Sequence, residues 1–172
     1  MDLKTYIRSI PDYPEAGVDF KDITTLLKDK DAFKETVDQI SNHFANKGIT
    51  KVVCLESRGF ILGGAIAYHL NAGYVPVRKP GKLPAEVIKE SYTLEYGTDT
   101  LEMHIDALDE NDVVLIHDDL LATGGTALAA LHLVEKIKVK KVYFSFISDL
   151  TFLQTPNKEK LKKYEIHSLI DF

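Results

Sequence analysis

The sequence lacks most of the features that mark secreted, membrane-spanning and zinc-binding proteins. It has one cysteine, Cys54, so it cannot form an internal disulfide, which fits a reducing compartment. No apolar run approaches the roughly 18 residues of a membrane-spanning helix, and the amino terminus has no stretch typical of a signal peptide. The histidines are scattered without metal-ligand spacing, which argues against a structural zinc site. These absences predict a cytoplasmic protein.

Positive charge is also scarce. The chain has 21 Lys and Arg against 26 Asp and Glu, giving a net charge of −5. This balance disfavours broad binding to nucleic acid or to an anionic membrane. The 172 residues are enough for one domain with a sizeable core. We therefore expect a single domain over residues 1–172 that binds neither nucleic acid nor membrane.

Short apolar runs alternate with segments of helical periodicity along most of the chain. Because buried parallel strands are apolar on both faces, this alternation predicts an α/β fold with a central, mostly parallel sheet flanked by helices. The predicted strands are 51–56, 73–78, 112–118, 141–148 and 164–170, and the predicted helices run from Asp29 or Asp31 to Gly48, over 60–70 and over 126–137.

The remaining segments have weaker patterns. Leu3, Tyr6, Ile7 and Ile10 recur at helical spacing, which predicts a helix stopped by Pro11. Prolines and glycine in 11–22 predict an irregular loop, and two prolines in 79–90 predict a long exposed loop. Alternation in 91–96 and 101–105 predicts an antiparallel hairpin with its turn at 97–99.

Two unusual turns follow predicted strands: "ESRG" (56–59) and "DDLLATGGT" (118–126). In a parallel sheet both turns would lie at the carboxyl edge, where ligands bind. Asp118 and Asp119 are adjacent, so they repel one another, and burial would remove their hydration. We therefore expect a cation or a cluster of donors to compensate them there.

The segment "ATGGT" (122–126) suits a phosphate group. Its glycines allow close backbone approach, its threonines add hydroxyl donors, and the following helix presents free N–H groups. It is neither the nucleoside-triphosphatase loop nor the G-x-G-x-x-G fingerprint. A capped helix after a tight turn would explain the glycines and threonines alone, but not the aspartates. Carboxylates beside a phosphate site suit sugar hydroxyls, a divalent cation or both, so the pattern indicates a phosphorylated ribose with Mg²⁺.

The stretch "VVLIHDDLLATGGT" (113–126) resembles the phosphoribosyl-pyrophosphate signature of type I phosphoribosyltransferases, and its "DDLLATGGT" form is similar to the adenine branch. The resemblance covers roughly residues 5 to 170. It implies the type I phosphoribosyltransferase fold, with a small hood over about 1–30, a flexible lid hairpin over about 79–98, and a homodimer. Further matching segments are "PDYPEAGVDFKDIT" (11–24), "ESRGF" (56–60), "RKPGKLP" (78–84), "SYTLEYG" (91–97) and "DAL" (106–108).

The resemblance implies purine salvage, in which adenine and 5-phospho-α-D-ribose 1-diphosphate (PRPP) give AMP and diphosphate with Mg²⁺. Asp118 and Asp119 would face the ribose hydroxyls, near a Mg²⁺ held mainly by the substrate, and Glu95 would protonate the purine. The 5′-phosphate would be bound by Ala122, Thr123, Gly124, Gly125 and Thr126, the diphosphate by Ser57, Arg58, Arg78, Lys79, Lys82 and Tyr96, and adenine by Asp19, Phe20, Lys21 and Leu120.

Two other functions remain open from the sequence. The base could be hypoxanthine, guanine or xanthine, or the chain could be a non-enzymatic regulator that senses PRPP and binds nucleic acid. The acidic charge and the presence of Glu95 in "LEYG" argue against the regulator. His117 stands where the resemblance implies an apolar residue, often valine. We interpret it as a neutral core residue bonded to backbone; the alternative is that it tunes the acidic pair.

Overall fold

A computed structural model of the chain describes residues 1–94 and 97–172 and has an α/β architecture. Its strands are β1 (Arg8–Pro11), β2 (Asp19–Asp22), β3 (Lys51–Leu55), β4 (Gly73–Val77), β5 (Val87–Leu94), β6 (Gly97–His104), β7 (Val113–Leu121), β8 (Lys141–Asp149) and β9 (Glu165–Asp171). Its α-helices are α1 (Thr24–Leu27), α2 (Lys30–Phe44), α3 (Gly59–His69), α4 (Gly125–Ile137) and α5 (Pro156–Leu161), and a short 3-10 helix spans Leu3–Tyr6.

The central sheet has five strands in the order β4-β3-β7-β8-β9, and every neighbouring pair is parallel. Alternate strand residues enter two separate cores. Residues such as Ile116 and Phe144 pack with α4 on one face, whereas Leu115 and Tyr143 pack with α2 and α3 on the other. Because both faces are buried, these strands are apolar throughout. The predicted fold class is confirmed.

The helices begin close to where the sequence places them. The side chain of Asp29 accepts hydrogen bonds from the N–H groups of Asp31 and Ala32 and so caps α2. α3 and α4 each start one residue earlier than predicted, at Gly59 and Gly125, whereas α2 ends at Phe44 and the chain reaches Gly48 through a turn. No helix in the described parts of the chain is long and apolar enough to cross a bilayer.

The amino-terminal prediction was wrong beyond Tyr6. Arg8–Pro11 forms β1 and pairs antiparallel with β2, which lies in the segment predicted as an irregular loop. Asp22 fixes this hairpin, because its carboxylate accepts from the Arg8 guanidinium and from the Thr24 N–H. These hydrogen bonds, led by that from Arg8, lower the pKa of Asp22 to about 2. Pairing within the β1–β2 hairpin therefore overrides the local helical spacing.

The second hairpin, β5–β6, is antiparallel as predicted, but its bounds differ from the prediction. β5 begins at Val87, inside the predicted loop, and β6 begins at Gly97, inside the predicted turn. Tertiary contacts explain the longer strand: Ile88 packs on the core beside α4, and Glu90 pairs with His132 and Lys136 of that helix. The exposed loop is thus confined to about 79–86.

Candidate active site

A cleft of about 540 Å³ lies at the carboxyl ends of β3 and β7, beside the β1–β2 hairpin. Both unusual turns meet there, as the sequence predicts. A smaller adjoining cavity of about 70 Å³ is formed by residues 118 and 120–127. The larger cleft is lined by Tyr13, Phe20, Glu56, Ser57, Arg58, Lys79, Asp118, Asp119, Leu120, Ala122 and Thr126.

The two aspartates form the floor of this cleft at an energetic cost. Asp119 is only 3% exposed, and the Asp118 carboxylate is largely enclosed, with Oδ1 2.9 Å from the Asp119 N–H that donates to it. Burial, followed by the negative charge of Asp119, raises the pKa of Asp118. Burial also raises the pKa of Asp119. Ionised carboxylates here therefore destabilise the fold, which is typical of groups that are kept for a ligand.

Arg58 supplies the compensating cation that the sequence requires. Its Nε lies 2.9 Å from Asp119 Oδ2, and its charge opposes the upward pKa shift of that carboxyl. The N–H does not point along this contact, so Oδ2 accepts no hydrogen bond from any described residue. The guanidinium carbon also lies 5.1 Å from the centre of the Phe20 ring. Arg58 thus contacts both Asp119 and Phe20, two residues that line the cleft.

Gly59 allows this arrangement, because α3 begins directly against the end of β7. A Cβ at this position would lie 2.9 Å from the His117 carbonyl oxygen and 3.0 Å from Asp118 Oδ1. The contact with the His117 carbonyl is too short for a larger residue unless the backbone moves, and the contact with Asp118 would require that carboxylate to shift. A glycine at this position therefore allows the start of α3, beside Arg58, to lie directly against the aspartate pair.

The loop 122–126 leads from β7 into α4 and has the geometry of an anion site. Gly124 adopts φ +82°, a conformation that favours glycine, and α4 starts at the next residue without a side-chain cap. The first N–H groups of that helix have no partner within the helix, and its dipole is positive at this end. Ala122 and Thr126 face the main cleft, while Thr123, Gly124 and Gly125 line the adjoining cavity.

Besides Arg58, the predicted diphosphate cations Arg78 and Lys79 pair with carboxylates of the chain itself. Glu56 Oε2 accepts from Arg78 Nε at 3.1 Å and from the Lys79 N–H at 2.9 Å. Burial opposes ionisation of Glu56, but these hydrogen bonds outweigh it and lower its pKa. The Lys79 ammonium pairs with Asp99 of β6. Lys82 is exposed and does not line the cleft.

Sequence reasoning missed both of these carboxylates. Glu56 belongs to the turn "ESRG", and its place at the end of β3 was a usable signal. Asp99 had no such signal, because its contact with Lys79 depends on the register of the hairpin, where it lies opposite Tyr92.

Two of the four predicted adenine-binding residues, Phe20 and Leu120, line the cleft. The Asp19 and Lys21 side chains pair with one another outside it, so only their backbone lies beside Phe20. Tyr13 was not predicted, and its ring packs edge-on against Phe20 with centroids 5.3 Å apart. It comes from a loop without periodicity, which gave no signal. The predicted residues Glu95 and Tyr96 lie outside the described residues.

The carboxylates suit a cation that is shared with a substrate. Across residues 1–94 and 97–172, no group of three or more His, Cys, Asp or Glu side chains could hold a metal ion. Asp118 and Asp119 offer two carboxylates beside the anion site. Mg²⁺ commonly binds through one or two carboxylates together with substrate phosphates and water. The residues present therefore fit a Mg²⁺ that arrives with a phosphorylated substrate.

His117 is a core residue, as the sequence suggests, and its hydrogen-bond partner is Ser145. The side chain is fully buried, and Nδ1 lies 3.3 Å from the Ser145 hydroxyl on β8. Burial lowers the pKa of His117 to about 4. Nε2 has no hydrogen-bond partner among the described residues. The imidazole is therefore neutral at pH 7, and it carries no charge that could tune the acidic pair.

Comparison with known proteins agrees with this geometry. Residues 20–166 match the phosphoribosyl transferase domain family. The adenine phosphoribosyltransferase of Bacteroides thetaiotaomicron is 62% identical over 144 residues, which cover 84% of this chain and 82% of that protein. The crystal structure of adenine phosphoribosyltransferase from Thermoanaerobacter pseudethanolicus has a TM-score of 0.92 and 46% identity, covering 99% of this chain and 98% of that one. The enzyme from Giardia lamblia, crystallised with 9-deazaadenine, has a TM-score of 0.92 and 40% identity, covering 99% of this chain and 96% of that one. With its fold, its site turns and these similarities in agreement, the chain belongs to the adenine phosphoribosyltransferase family.

Proposed function

We propose that this enzyme transfers the phosphoribosyl group of PRPP to adenine, giving AMP and diphosphate in purine salvage. The observation that carries the proposal is the Asp118–Asp119 pair, which lines the cleft near the end of β7, with Asp119 buried and Asp118 partly buried, shortly before a glycine loop and a helix amino terminus. Such a pair is unfavourable without a ligand, and its neighbours suit a sugar phosphate. Membership of a family whose relatives are named for adenine supports the choice of base.

The donor lies along the carboxyl edge of the sheet in this proposal. Its 5′-phosphate accepts hydrogen bonds from the backbone of loop 122–126, and its ribose hydroxyls donate to Asp118 and Asp119. Holding the ribose at two points orients its anomeric carbon toward the base. The raised pKa values of both carboxyls support this role, because hydroxyl donors and a nearby cation would replace the lost hydration.

The diphosphate leaves toward the cationic side of the cleft. Ser57 and Arg58 bind it from the "ESRG" turn, and the planar guanidinium meets phosphate oxygens in pairs. Arg78, Lys79, Lys82 and Tyr96 complete the set. Arg78 and Lys79 exchange Glu56 and Asp99 for phosphate oxygens when the donor binds. A Mg²⁺ that arrives with the substrate would lie near Asp118 and Asp119, and it would supply positive charge to the leaving diphosphate.

Adenine lies between Phe20 and Leu120, which already line the cleft. Backbone groups of residues 19–21 read its edge: a carbonyl accepts from the 6-amino group and an N–H donates to N1. N9 attacks the anomeric carbon as the bond from that carbon to the diphosphate oxygen breaks, and the purine then loses one proton. Glu95 accepts this proton in the forward direction and protonates the purine ring in the reverse direction. A lid over about 79–98 closes over the reactants and excludes water, because hydrolysis of the donor is the competing reaction.

We also propose that the enzyme is a cytoplasmic homodimer. Three large apolar side chains are exposed near one edge of the sheet: Ile61 and Tyr68 on α3, and Tyr74 on the edge strand β4. Tyr68 is 84% exposed. Exposed apolar residues beside an open strand are typical of an interface. In sedimentation velocity, Tyr68→Asp should shift a dimer toward the monomer, and a monomeric wild-type protein would contradict this proposal.

Phosphorus NMR of the enzyme with PRPP, Mg²⁺ and adenine tests the activity directly. The donor resonances should give way to AMP and diphosphate in equal amounts. Without a base the donor should persist, apart from slow hydrolysis. Conversion with hypoxanthine or guanine but not with adenine would move the assignment to another purine. No conversion with any purine, together with tight RNA or DNA binding in a mobility-shift assay, would support the non-enzymatic regulator instead.

A further inference from the structure

The phosphate loop 122–126 rests on a segment that no sequence motif marks. Thr155 caps α5, and its hydroxyl oxygen accepts from the Lys158 N–H at 3.2 Å. The same hydroxyl donates to the carbonyl oxygen of Thr123, 2.6 Å away. One threonine side chain therefore ties the start of α5 to the middle of the phosphate loop.

Lys158 packs against the same loop from behind. A Cβ added to Gly124 would lie 3.2 Å from both Cγ and the backbone nitrogen of Lys158. The lysine is only 8% exposed, which is unusual for this residue type. The turn at Gly124 is therefore pressed against α5, and its position depends on where α5 lies.

A partly buried ion pair fixes the position of α5. The Lys158 ammonium pairs with the carboxylate of Asp149 and donates to the Leu150 carbonyl oxygen at 2.9 Å. Asp149 ends β8 and lies opposite Leu121, the last residue of β7. The sheet edge that carries Asp118 and Asp119 thus holds α5 through Lys158, and α5 holds the phosphate loop through Thr155.

We propose that Thr155 and the Lys158–Asp149 pair are positioning residues for the 5′-phosphate of the donor. They hold the Thr123 carbonyl away from the anion, so that the N–H groups of the loop face it. This inference rests on the proposed function, because it assigns the loop to that phosphate. The side chains themselves touch no substrate; their effect passes through the backbone of the loop.

Thr155→Val and Thr155→Ser form the matched test, because valine removes the hydroxyl at similar volume and serine keeps it. One lost hydrogen bond is worth up to about tenfold in affinity. Thr155→Val should weaken ribose 5-phosphate binding in calorimetry, and raise the KM for PRPP, by about 3- to 10-fold. The KM for adenine and kcat should change less than twofold, and Thr155→Ser should restore the wild-type values.

A loss of stability alone must not produce this pattern, and Asp29→Ala provides that control. Asp29 caps α2 through its side chain, away from the loop, so its removal lowers the melting temperature by a comparable mechanism. It should leave ribose 5-phosphate binding and both KM values unchanged. Equal KM increases in Asp29→Ala and Thr155→Val would overturn the positioning role.

Lys158→Met tests the ion pair, since methionine keeps most of the stem and loses the charge. It should raise the KM for PRPP at least as much as Thr155→Val, with the same small effect on adenine. If this variant does not fold, the two Thr155 variants decide. The inference alone would be refuted if the wild-type enzyme binds ribose 5-phosphate and makes AMP, while Thr155→Val and Thr155→Ser have the same ribose 5-phosphate affinity and the same KM for PRPP. A wild-type protein that does neither would refute the proposed function, and this inference with it.

Discussion

Replacing His117 by valine should remove a specific part of the pH dependence of stability. The imidazole is fully buried, and burial lowers its pKa to about 4 from the ordinary 6.5. Between these values the unfolded chain binds a proton that the folded protein excludes, so stability falls as the pH falls from 6.5 toward 4. Each pKa unit is worth about 1.4 kcal/mol, so His117 should cost the wild type about 2 kcal/mol between pH 7 and pH 5.

Urea unfolding followed by circular dichroism, at a fixed protein concentration, measures this contribution. The cavity left by valine and the loss of the unpaired Nε2 both change stability, but neither depends on pH. The difference in unfolding free energy, wild type minus His117→Val, should therefore fall by about 2 kcal/mol from pH 7 to pH 5. His69 is exposed on α3, so His69→Gln serves as the control and should show no such change. A difference that stays constant with pH for His117→Val would mean that the imidazole has the same pKa in the folded protein as in the unfolded chain, contrary to its burial.

Three further outcomes follow from the site. Gly59→Ala should lower kcat/KM by about 10²-fold, because its Cβ would meet the His117 carbonyl and Asp118, whereas Gly64→Ala, with nothing within 4 Å, should keep full activity. A fall of similar size in both would locate the defect in the helix rather than in the close approach. Asp118→Asn combined with Asp119→Asn should abolish turnover. The double variant should unfold at no lower urea concentration than the wild type at neutral pH, because burial raises the pKa of both carboxyls and their charges lower stability. Near-normal kcat/KM in the folded variant would remove the pair from the mechanism. Limited proteolysis should cut the free enzyme within 79–86 and much less after PRPP and Mg²⁺ are added; equal cleavage with and without them would contradict a closing lid.

The sequence predicts the central sheet and the edge that carries the site well, and the reason is physical. Strands buried on both faces must be apolar throughout, so β3, β7 and β8 stand out as continuous runs. The turns after β3 and β7 interrupt those runs with charge and glycine, and in a parallel sheet both must reach the same edge. Asp118, Arg58 and loop 122–126 could therefore be assigned to one cleft before any contact was known.

The parts that were missed depend on contacts between segments far apart in the chain. β1 has four residues, and its hydrogen bonds with β2 outweigh the helical spacing that Ile10 completes. The partners of Arg78 and Lys79 follow from the hairpin register and from the closeness of Glu56, which no local pattern encodes. The lid boundaries and the roles of Glu95 and Tyr96 remain predictions.

Base selectivity tests the central claim, adenine transfer at this cleft, most directly. If backbone groups of residues 19–21 read the purine edge, hypoxanthine reverses both the donor at position 6 and the acceptor at N1. Two buried polar mismatches at about 1–3 kcal/mol each give a discrimination of about 10²–10⁴ in kcat/KM. The measurement is kcat/KM for adenine, hypoxanthine, guanine, xanthine, uracil and orotate with PRPP and Mg²⁺, in the wild type, Asp19→Ala and Phe20→Ala. In the wild type, kcat/KM for adenine should exceed that for hypoxanthine by this factor, and Asp19→Ala should keep the same ratio. Phe20→Ala should lower kcat/KM for every purine by a similar factor. Comparable turnover of hypoxanthine or guanine by the wild type would contradict the assignment.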